Sequence, residues 1–332
     1  MRLVEALHSR PLDRPPVWFM RQAGRYLPEY RDLRSRLSFE ESMRTPAVAA
    51  EITLQPLRRF QLDAAIIFSD IMTPLAGMGV EMAFAPGPKL ASYGVKDVTL
   101  LPDLRPGSVD FVGETIATVR AQLAPEVAVI GFAGAPATLL AYLLEGGGSS
   151  HFPQFRAGLH HDLVEEALDV LARAMRRYLE LQIEAGADVV QLFDSWAGLL
   201  AADQFERLAV PAARRVLADL DVPTIYFAPG AAHLLDRFHL VGATGYGVDW
   251  RLPLGEAWAR VGTDIPLQGN LDPAVLMAGA GTTRAATAAV LAAAGQGTGH
   301  IFNLGHGIFP DSPLESVAAM VDTVVGWPER RS

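Results

Sequence analysis

Eight short apolar runs, separated by stretches with helical periodicity, constrain the fold of this chain more than any other feature. They are residues 17–20, 64–68, 127–132, 188–193, 224–227, 245–249, 266–269 and 300–304. The stretch from His161 to Ala185 has apolar residues at three- and four-residue spacing and is followed by Gly186, a typical helix stop. Strands alternating with helices indicate a parallel sheet. Eight such units predict an α/β fold of the (β/α)8 TIM barrel type, because the Gly-rich turn of a doubly wound sheet is missing after the first run.

The chain length favours one large domain over residues 1–332, since half of its residues are hydrophobic and barrels of this size are common. The segment between the second and third runs interrupts the pattern. Glycines and prolines from Gly77 to Gly94 surround alternating residues there. We interpret this segment as a β-hairpin excursion over the barrel mouth, not as a second domain.

Composition narrows the possible partners. A net charge of -9 argues against nucleic acid or a membrane surface as a ligand, so an anionic ligand would need a local basic pocket. The chain has no cysteine, which excludes disulfides and thiolate metal sites. No apolar run approaches the roughly 18 residues that span a bilayer, and no signal-peptide pattern opens the sequence. We therefore expect a cytoplasmic protein.

Polar residues follow several predicted strands, where barrel active sites are built. Their side chains would suit a ligand that carries several carboxylates and also presents N–H donors. They are Arg21 and Arg25 after the first run, Ser69 and Asp70 after the second, Tyr142 on the helix after the third, Asp194 and Ser195 after the fourth, and His306 between two glycines after the eighth.

Each of these residues also has an ordinary structural explanation. Asp70 could cap the next helix, and serine after a strand is a common N-cap, as Ser195 would be. Tyr142 could fill the core. His306 could be a satisfied structural histidine, although its flanking glycines allow close approach to a ligand.

Several cofactor classes are disfavoured. Hydride chemistry is not indicated, because the dinucleotide fingerprint is missing. A pyridoxal Schiff base needs a lysine at the site, yet Lys89 and Lys96, the only lysines, both lie in the predicted hairpin excursion. No set of residues shows metal-ligand spacing, and His160 and His161 are simply adjacent on a helix. We therefore expect no metal and no cofactor.

Two segments carry a family resemblance. Residues 16–30 and 131–142 resemble the two signature regions of the uroporphyrinogen decarboxylase family, and residues 66–70, 192–195, 268–273 and 303–307 match it further. The matches run in order along nearly the whole chain. The resemblance implies a homodimeric (β/α)8 enzyme that removes carbon dioxide from the four acetate side chains of uroporphyrinogen III. The product would be coproporphyrinogen III, formed without a cofactor or a metal.

The resemblance also assigns roles. Asp70 matches the central carboxylate, which would accept the pyrrole N–H bonds and stabilise positive charge on the ring. Arg21 and Arg25 match the arginines that bind substrate carboxylates, and Arg21 is also a candidate proton relay. The candidate catalytic residues are thus Asp70, Arg21 and Tyr142. Further substrate contacts are expected from the backbone N–H groups of Gln22, Ala23 and Gly24, from the side chains of Tyr142, Ser195 and His306, and from the additional cation Arg34.

One position departs from the family pattern. Trp196 follows Ser195 where some family members carry histidine, so no catalytic role is expected for it. Two other functions stay open at this point. A methyl-transferring relative would use a metal or a corrinoid partner, and a tetrapyrrole carrier would bind the substrate without turnover.

Overall fold

The computed structural model describes residues 1–84, 87–295 and 299–327. Seven strands form one sheet with parallel pairing throughout, in the order β1-β4-β5-β6-β7-β8-β9. The strands are β1 Ala64–Ile66, β2 Met82–Phe84, β3 Pro88–Leu90, β4 Ala128–Gly134, β5 Val189–Phe193, β6 Thr224–Phe227, β7 Gly245–Gly247, β8 Leu267–Gln268 and β9 His300–Ile301. The seven strands of the parallel sheet, β1 and β4 to β9, coincide with seven of the eight predicted runs. The predicted α/β class with a parallel sheet is therefore confirmed.

Helices lie before β1, between most of the consecutive strands of this sheet and after β9. They are α1 Arg2–Leu7, α2 Pro28–Arg34, α3 Phe39–Arg44, α4 Pro46–Arg59, α5 Thr73–Gly77, α6 Val95–Thr99, α7 Asp110–Arg120, α8 Pro136–Glu145, α9 Pro153–Gly158, α10 Val164–Glu184, α11 Ala202–Gln204, α12 Val210–Leu217, α13 Leu254–Val261, α14 Ala280–Ala293 and α15 Leu314–Val325. Shorter 3-10 turns cover Ala197–Leu199, Ala232–Val241 and Pro273–Ala278, and a π turn covers Phe205–Ala209. The helix predicted between His161 and Ala185 is confirmed as α10.

The first apolar run differs from the prediction. Instead of a ladder, residues 17–20 make a single parallel bridge, between Val17 and Phe302. The reason lies in their backbone donors, because side chains accept most of them. The N–H of Val17 donates to Asp63, that of Phe19 to Gln22, and that of Met20 to Asn303, whereas the N–H of Trp18 donates to the carbonyl of Phe302. The run lies between the first and last strands without pairing along its length.

The hairpin excursion is confirmed. Strands β2 and β3 pair antiparallel, with Met82 opposite Leu90, and residues 85–86 between them lie outside the described residues. Lys89 makes an antiparallel bridge to Gly147, in the loop after α8. The hairpin is therefore bridged to the loop that follows α8, the helix that carries Tyr142.

Both faces of the sheet are covered. All seven residues of β4 are buried, as expected for a parallel strand with helices outside and packed side chains inside. On the outer side, α10 buries its apolar stripe, including Leu171 and Leu179, against the strands. Among the described residues, no helix is both long and apolar enough to cross a bilayer.

Candidate active site

A cavity of about 270 Å³ opens at the carboxyl ends of the parallel strands. Asp70 reaches it from the segment after β1, Ser195 from the segment after β5, and Pro229 from the segment after β6. This is the end of a barrel-type sheet at which active sites are built. Of the ten catalytic or substrate-contacting residues expected from the sequence, the cavity brings together eight: Arg21, Ala23, Gly24, Arg25, Asp70, Tyr142, Ser195 and His306.

Arg21 and Arg25 supply unpaired positive charge. Among the described residues, no carboxylate lies within 4.0 Å of either guanidinium, although many other arginines of the chain are ion-paired. The Nε of Arg25 is buried and has no hydrogen-bond partner in that part of the chain. Burial, together with the charge of Arg21, lowers the pKa of Arg25 to about 10, so it stays charged near neutral pH. Two cations without protein partners are suited to bind an anionic ligand.

The backbone around the arginines is shaped to present them. Arg21 has a φ of 64°, in the left-handed region that non-glycine residues seldom adopt. Its side chain lies across Gly307, where an added Cβ would come within 2.6 Å of the Arg21 Cδ. Gly24, with a φ of 74°, lies against the ring of Phe68, which an added Cβ would meet at 2.2 Å. Glycine at these two positions allows the loop to approach its neighbours closely.

Asp70 presents a carboxylate to the cavity. One oxygen, Oδ1, accepts the backbone N–H of Met72 at 2.8 Å, which fixes the side chain. In the part of the chain that the structure describes, no donor bonds to Oδ2. Burial raises the pKa of Asp70, and the Met72 N–H and the positive charge of Arg21 oppose this rise. One oxygen is therefore held by the protein while the other is available to a ligand.

Tyr142 and His306 line other parts of the cavity. The Tyr142 ring packs edge-on against Trp196, with centroids 5.9 Å apart, and burial raises the pKa of its hydroxyl. Burial also lowers the pKa of His306, and the charges of Arg21 and Arg25 lower it further. The imidazole is therefore neutral at neutral pH and can both donate and accept a hydrogen bond.

The structure does not bring Gln22 or Arg34 to the cavity lining. The Gln22 backbone N–H donates to the carbonyl of Phe19, and its fully buried side chain bonds the Phe19 N–H and the Ala64 carbonyl. Gln22 thus holds the arginine loop against β1 and is not placed to donate to a ligand. The guanidinium of Arg34 bonds the carbonyl of Leu37.

An aromatic floor was missed by the sequence reasoning. Phe132, Phe193 and Phe227 line the cavity from three neighbouring strands. Phe193 meets Phe132 edge-on at 5.6 Å and Phe227 edge-on at 6.1 Å. The available signal was their position, because each lies at the carboxyl end of a predicted strand, yet the apolar character of these residues assigned them to the core. The three rings give part of the cavity lining an apolar surface.

No three histidine, aspartate or glutamate side chains of the described residues come together as metal ligands. The groups available to a ligand are therefore a carboxylate, two guanidiniums, hydroxyls, a neutral imidazole and aromatic rings. This set can bind an anionic ligand at its rim and stabilise a cation near Asp70.

Known proteins resemble this chain over its whole length. The family model described as uroporphyrinogen decarboxylase (URO-D) matches residues 1–327. Uroporphyrinogen decarboxylases from Alkalilimnicola ehrlichii and Rhodococcus opacus are each 44% identical to it, over 97% of this chain and 93% and 94% of their own. That of Sorangium cellulosum is 42% identical, over 98% of this chain and 96% of its own.

Among solved structures, a methyltransferase from Methanosarcina mazei superposes with a TM-score of 0.83 at 22% identity, covering 98% of this chain and 97% of its own. At this identity the likeness concerns the fold alone. The family model and the curated relatives agree with each other along the chain. The chain is therefore a member of the uroporphyrinogen decarboxylase family.

Proposed function

We propose that the chain decarboxylates the four acetate side chains of uroporphyrinogen III to give coproporphyrinogen III, in tetrapyrrole biosynthesis and without a cofactor. The observation that carries the proposal is the placement of Asp70 in a cavity that also holds Arg21 and Arg25. Within the described residues, one oxygen of Asp70 accepts no hydrogen bond, and neither arginine has a carboxylate within 4.0 Å. Family membership supports the same reaction.

The chemistry requires an electron sink. When a pyrrole ring is protonated at carbon, it becomes an iminium-like cation, which accepts the electron pair left by departing carbon dioxide. A proton then replaces the carboxylate on the side-chain carbon, and loss of the ring proton restores the pyrrole. Each acetate thus becomes a methyl group plus carbon dioxide, and the substrate itself supplies the sink.

Asp70 would act on the reacting ring. An ionised carboxylate accepts the pyrrole N–H and opposes the positive charge that develops on protonation. Because the ring of the bound substrate is neutral and this charge develops only during the reaction, its stabilisation raises kcat more than it lowers KM. The aromatic floor of Phe132, Phe193 and Phe227 keeps the ring in a water-poor environment, where the carboxylate acts more strongly.

The arginines would bind the rim of the substrate. Uroporphyrinogen carries eight carboxylates, and the planar guanidiniums of Arg21 and Arg25 can each bind one in a bidentate manner. Tyr142, Ser195 and the neutral His306 would hydrogen-bond further acetate or propionate groups, and Arg21 is the candidate proton relay. Ala23 and Gly24 would add backbone N–H contacts.

We extend the proposal to the fold, with the first apolar run, residues 17–20, as the eighth strand of the barrel. The bridge from Val17 to Phe302 and the bond from the Asp63 N–H to the Val17 carbonyl place the first run between β9 and β1. These contacts support a closed eight-stranded (β/α)8 barrel that forms one domain. We also infer, from the family resemblance, a cytoplasmic homodimer. Sedimentation velocity tests the dimer, with a single monomeric species as the contrary result.

The experiment for the activity is anaerobic incubation of the purified chain with uroporphyrinogen III. After oxidation, chromatography should separate porphyrins with seven, six, five and four carboxylates, formed in time-dependent amounts. A carrier would return only the eight-carboxylate porphyrin, which would contradict the proposal. Elemental analysis of the purified protein addresses a zinc methyltransferase, because absence of bound zinc would exclude that alternative.

A further inference from the structure

A second aspartate lies beneath the cavity and is not used by the proposed reaction. Asp194 directly follows β5 and has no exposed surface. Its Oδ1 accepts the hydroxyl of Thr138 and its Oδ2 accepts the hydroxyl of Tyr226, both at 2.7 Å. In the described part of the chain, no arginine, lysine or histidine pairs with this carboxylate. An ionised carboxylate that binds two hydroxyls imposes a direction on both, because in that form it can only accept.

The hydrogen bonds continue from Thr138 toward the cavity. The Oγ1 of Thr138 also accepts the backbone N–H of Trp196 at 3.1 Å. Because the Trp196 N–H occupies a lone pair of the Thr138 oxygen, the proton of the Thr138 hydroxyl points to the carboxylate of Asp194. The backbone N–H of Asp194 in turn donates to the carbonyl of Phe227 at 2.8 Å. Hydrogen bonds of the buried Asp194 therefore connect the end of β5 to both β6 and α8.

Two residues of the candidate active site, Ser195 and Tyr142, lie next to residues of this hydrogen-bond network. Ser195 lies between Asp194 and Trp196, and both of these neighbours are hydrogen-bonded. Tyr142 lies on α8 four residues after Thr138, one helical turn away, and its ring rests against Trp196 at 5.9 Å. Movement of Thr138 or Trp196 would displace both cavity side chains together.

We propose that Asp194 is a positioning residue, which acts through Thr138 and the Trp196 backbone to fix Ser195 and Tyr142 in the cavity. This inference rests on the proposed function for its effect on turnover. It does not place Asp194 in contact with the substrate.

The hydroxyl of Thr138 offers the sharpest test. Thr138→Val keeps the shape of the side chain but removes the hydrogen bonds that the hydroxyl makes with Asp194 and with the Trp196 N–H. We expect kcat/KM for uroporphyrinogen to fall at least 10-fold. Thr138→Ser keeps the hydroxyl and should stay within threefold of the parent. Thr115→Val is the matched control, because Thr115 is also a buried helical threonine, but its hydroxyl bonds the Phe111 carbonyl of its own helix at 2.7 Å and reaches no residue beside the cavity. It should stay within twofold.

The carboxylate is tested by a second pair. Asp194→Asn can still accept the Thr138 hydroxyl through its amide oxygen and should keep at least a fifth of kcat/KM, whereas Asp194→Leu should lose at least 10-fold. If Thr138→Val stays within twofold of the parent, or Thr138→Ser falls as far as Thr138→Val, the inference is overturned. Equal losses in Thr138→Val and Thr115→Val would overturn it as well, because they would report stability alone.

A crystal structure of Thr138→Val separates this inference from the proposed function. The inference expects the Tyr142 and Trp196 rings to move from their positions in the parent protein, whether or not uroporphyrinogen is turned over. Rings left in place would contradict it. An inactive parent protein with displaced rings in the variant would instead contradict the proposed reaction.

Discussion

At the scale of single residues, the site depends on charged groups that the protein leaves without partners. Arg21 and Arg25 have no carboxylate within ion-pair distance in the described residues, whereas the buried Arg14 has one at 2.6 Å, from Asp63. Asp70 gives one oxygen to the Met72 N–H and keeps the other for a ligand. Charges that the fold does not need for its own stability are available to a substrate.

The pH dependence of turnover follows from Asp70 and His306. The proposed role needs Asp70 ionised, and burial raises its pKa, so kcat/KM should fall with decreasing pH at a pKa above the ordinary value of about 3.9. The pKa of His306 is lowered, so its protonation also occurs on the acid side. The pH profile of His306→Gln separates the two groups. The acid limb should keep its position in that variant, and its disappearance would assign the limb to His306.

Sequence reasoning found the charged residues of the site but not the apolar ones. Arginine, aspartate and histidine after an apolar run are conspicuous, and Arg21, Arg25, Asp70 and His306 all line the cavity. Gln22 was placed wrongly, because its neighbours in the signature segment face the cavity while it bonds the backbone of Phe19. From a single sequence, a phenylalanine at the end of a strand that lines a cavity cannot be distinguished from one that packs in the core.

At the scale of elements, the first apolar run shows what periodicity cannot foresee. Its apolar residues predicted a strand, and they do lie between β9 and β1. Three of its backbone donors, however, bond side chains: those of Gln22, three residues after Phe19, and of Asp63 and Asn303, which are distant in the sequence. Hydrogen bonds to such distant residues as Asp63 and Asn303 leave no local pattern. The seven other runs were predicted correctly, because their partners are other strands.

Asp63 should contribute strongly to the stability of this arrangement. It accepts two hydrogen bonds from the buried Arg14, at 2.6 and 3.0 Å, one from the Val17 N–H at 2.8 Å and a longer one from Arg2 at 3.4 Å. Asp63→Asn leaves the Arg14 cation buried without a counter-charge, so we expect the free energy of unfolding to fall by about 3 kcal/mol or more. Urea denaturation measures this change.

Asp311→Asn is the matched control for that measurement. Asp311 pairs with Arg31 at 3.1 Å, but its side chain is 82% exposed, so removal of its charge should cost less than about 1 kcal/mol. Similar losses in the two variants would contradict the role assigned to Asp63.

At the scale of the whole molecule, the net charge of -9 opposes the approach of a substrate with eight carboxylates. Attraction must therefore come from the local arginines, and salt should weaken it. We expect KM for uroporphyrinogen to rise several-fold between 0.05 and 0.5 M NaCl, a range over which the Debye length falls to about a third. Arg25→Gln should raise KM at low salt and reduce this dependence.

A distant arginine serves as the control for charge alone. Arg207 pairs with the exposed Glu165 at 3.4 Å and does not line the cavity. Arg207→Gln should leave both KM and its salt dependence close to those of the parent. If KM of the parent protein does not change with salt, the arginines do not supply the attraction.

The central claim is that Asp70 stabilises the cationic ring during decarboxylation, and Asp70→Asn tests it most directly. The amide oxygen can still accept the Met72 N–H, so the fold and the melting temperature should be retained. Under anaerobic conditions we expect kcat to fall by about 10²–10³-fold, as for the loss of one preorganised electrostatic group, while the affinity for uroporphyrinogen changes only a few-fold. A kcat within twofold of the parent would contradict the claim.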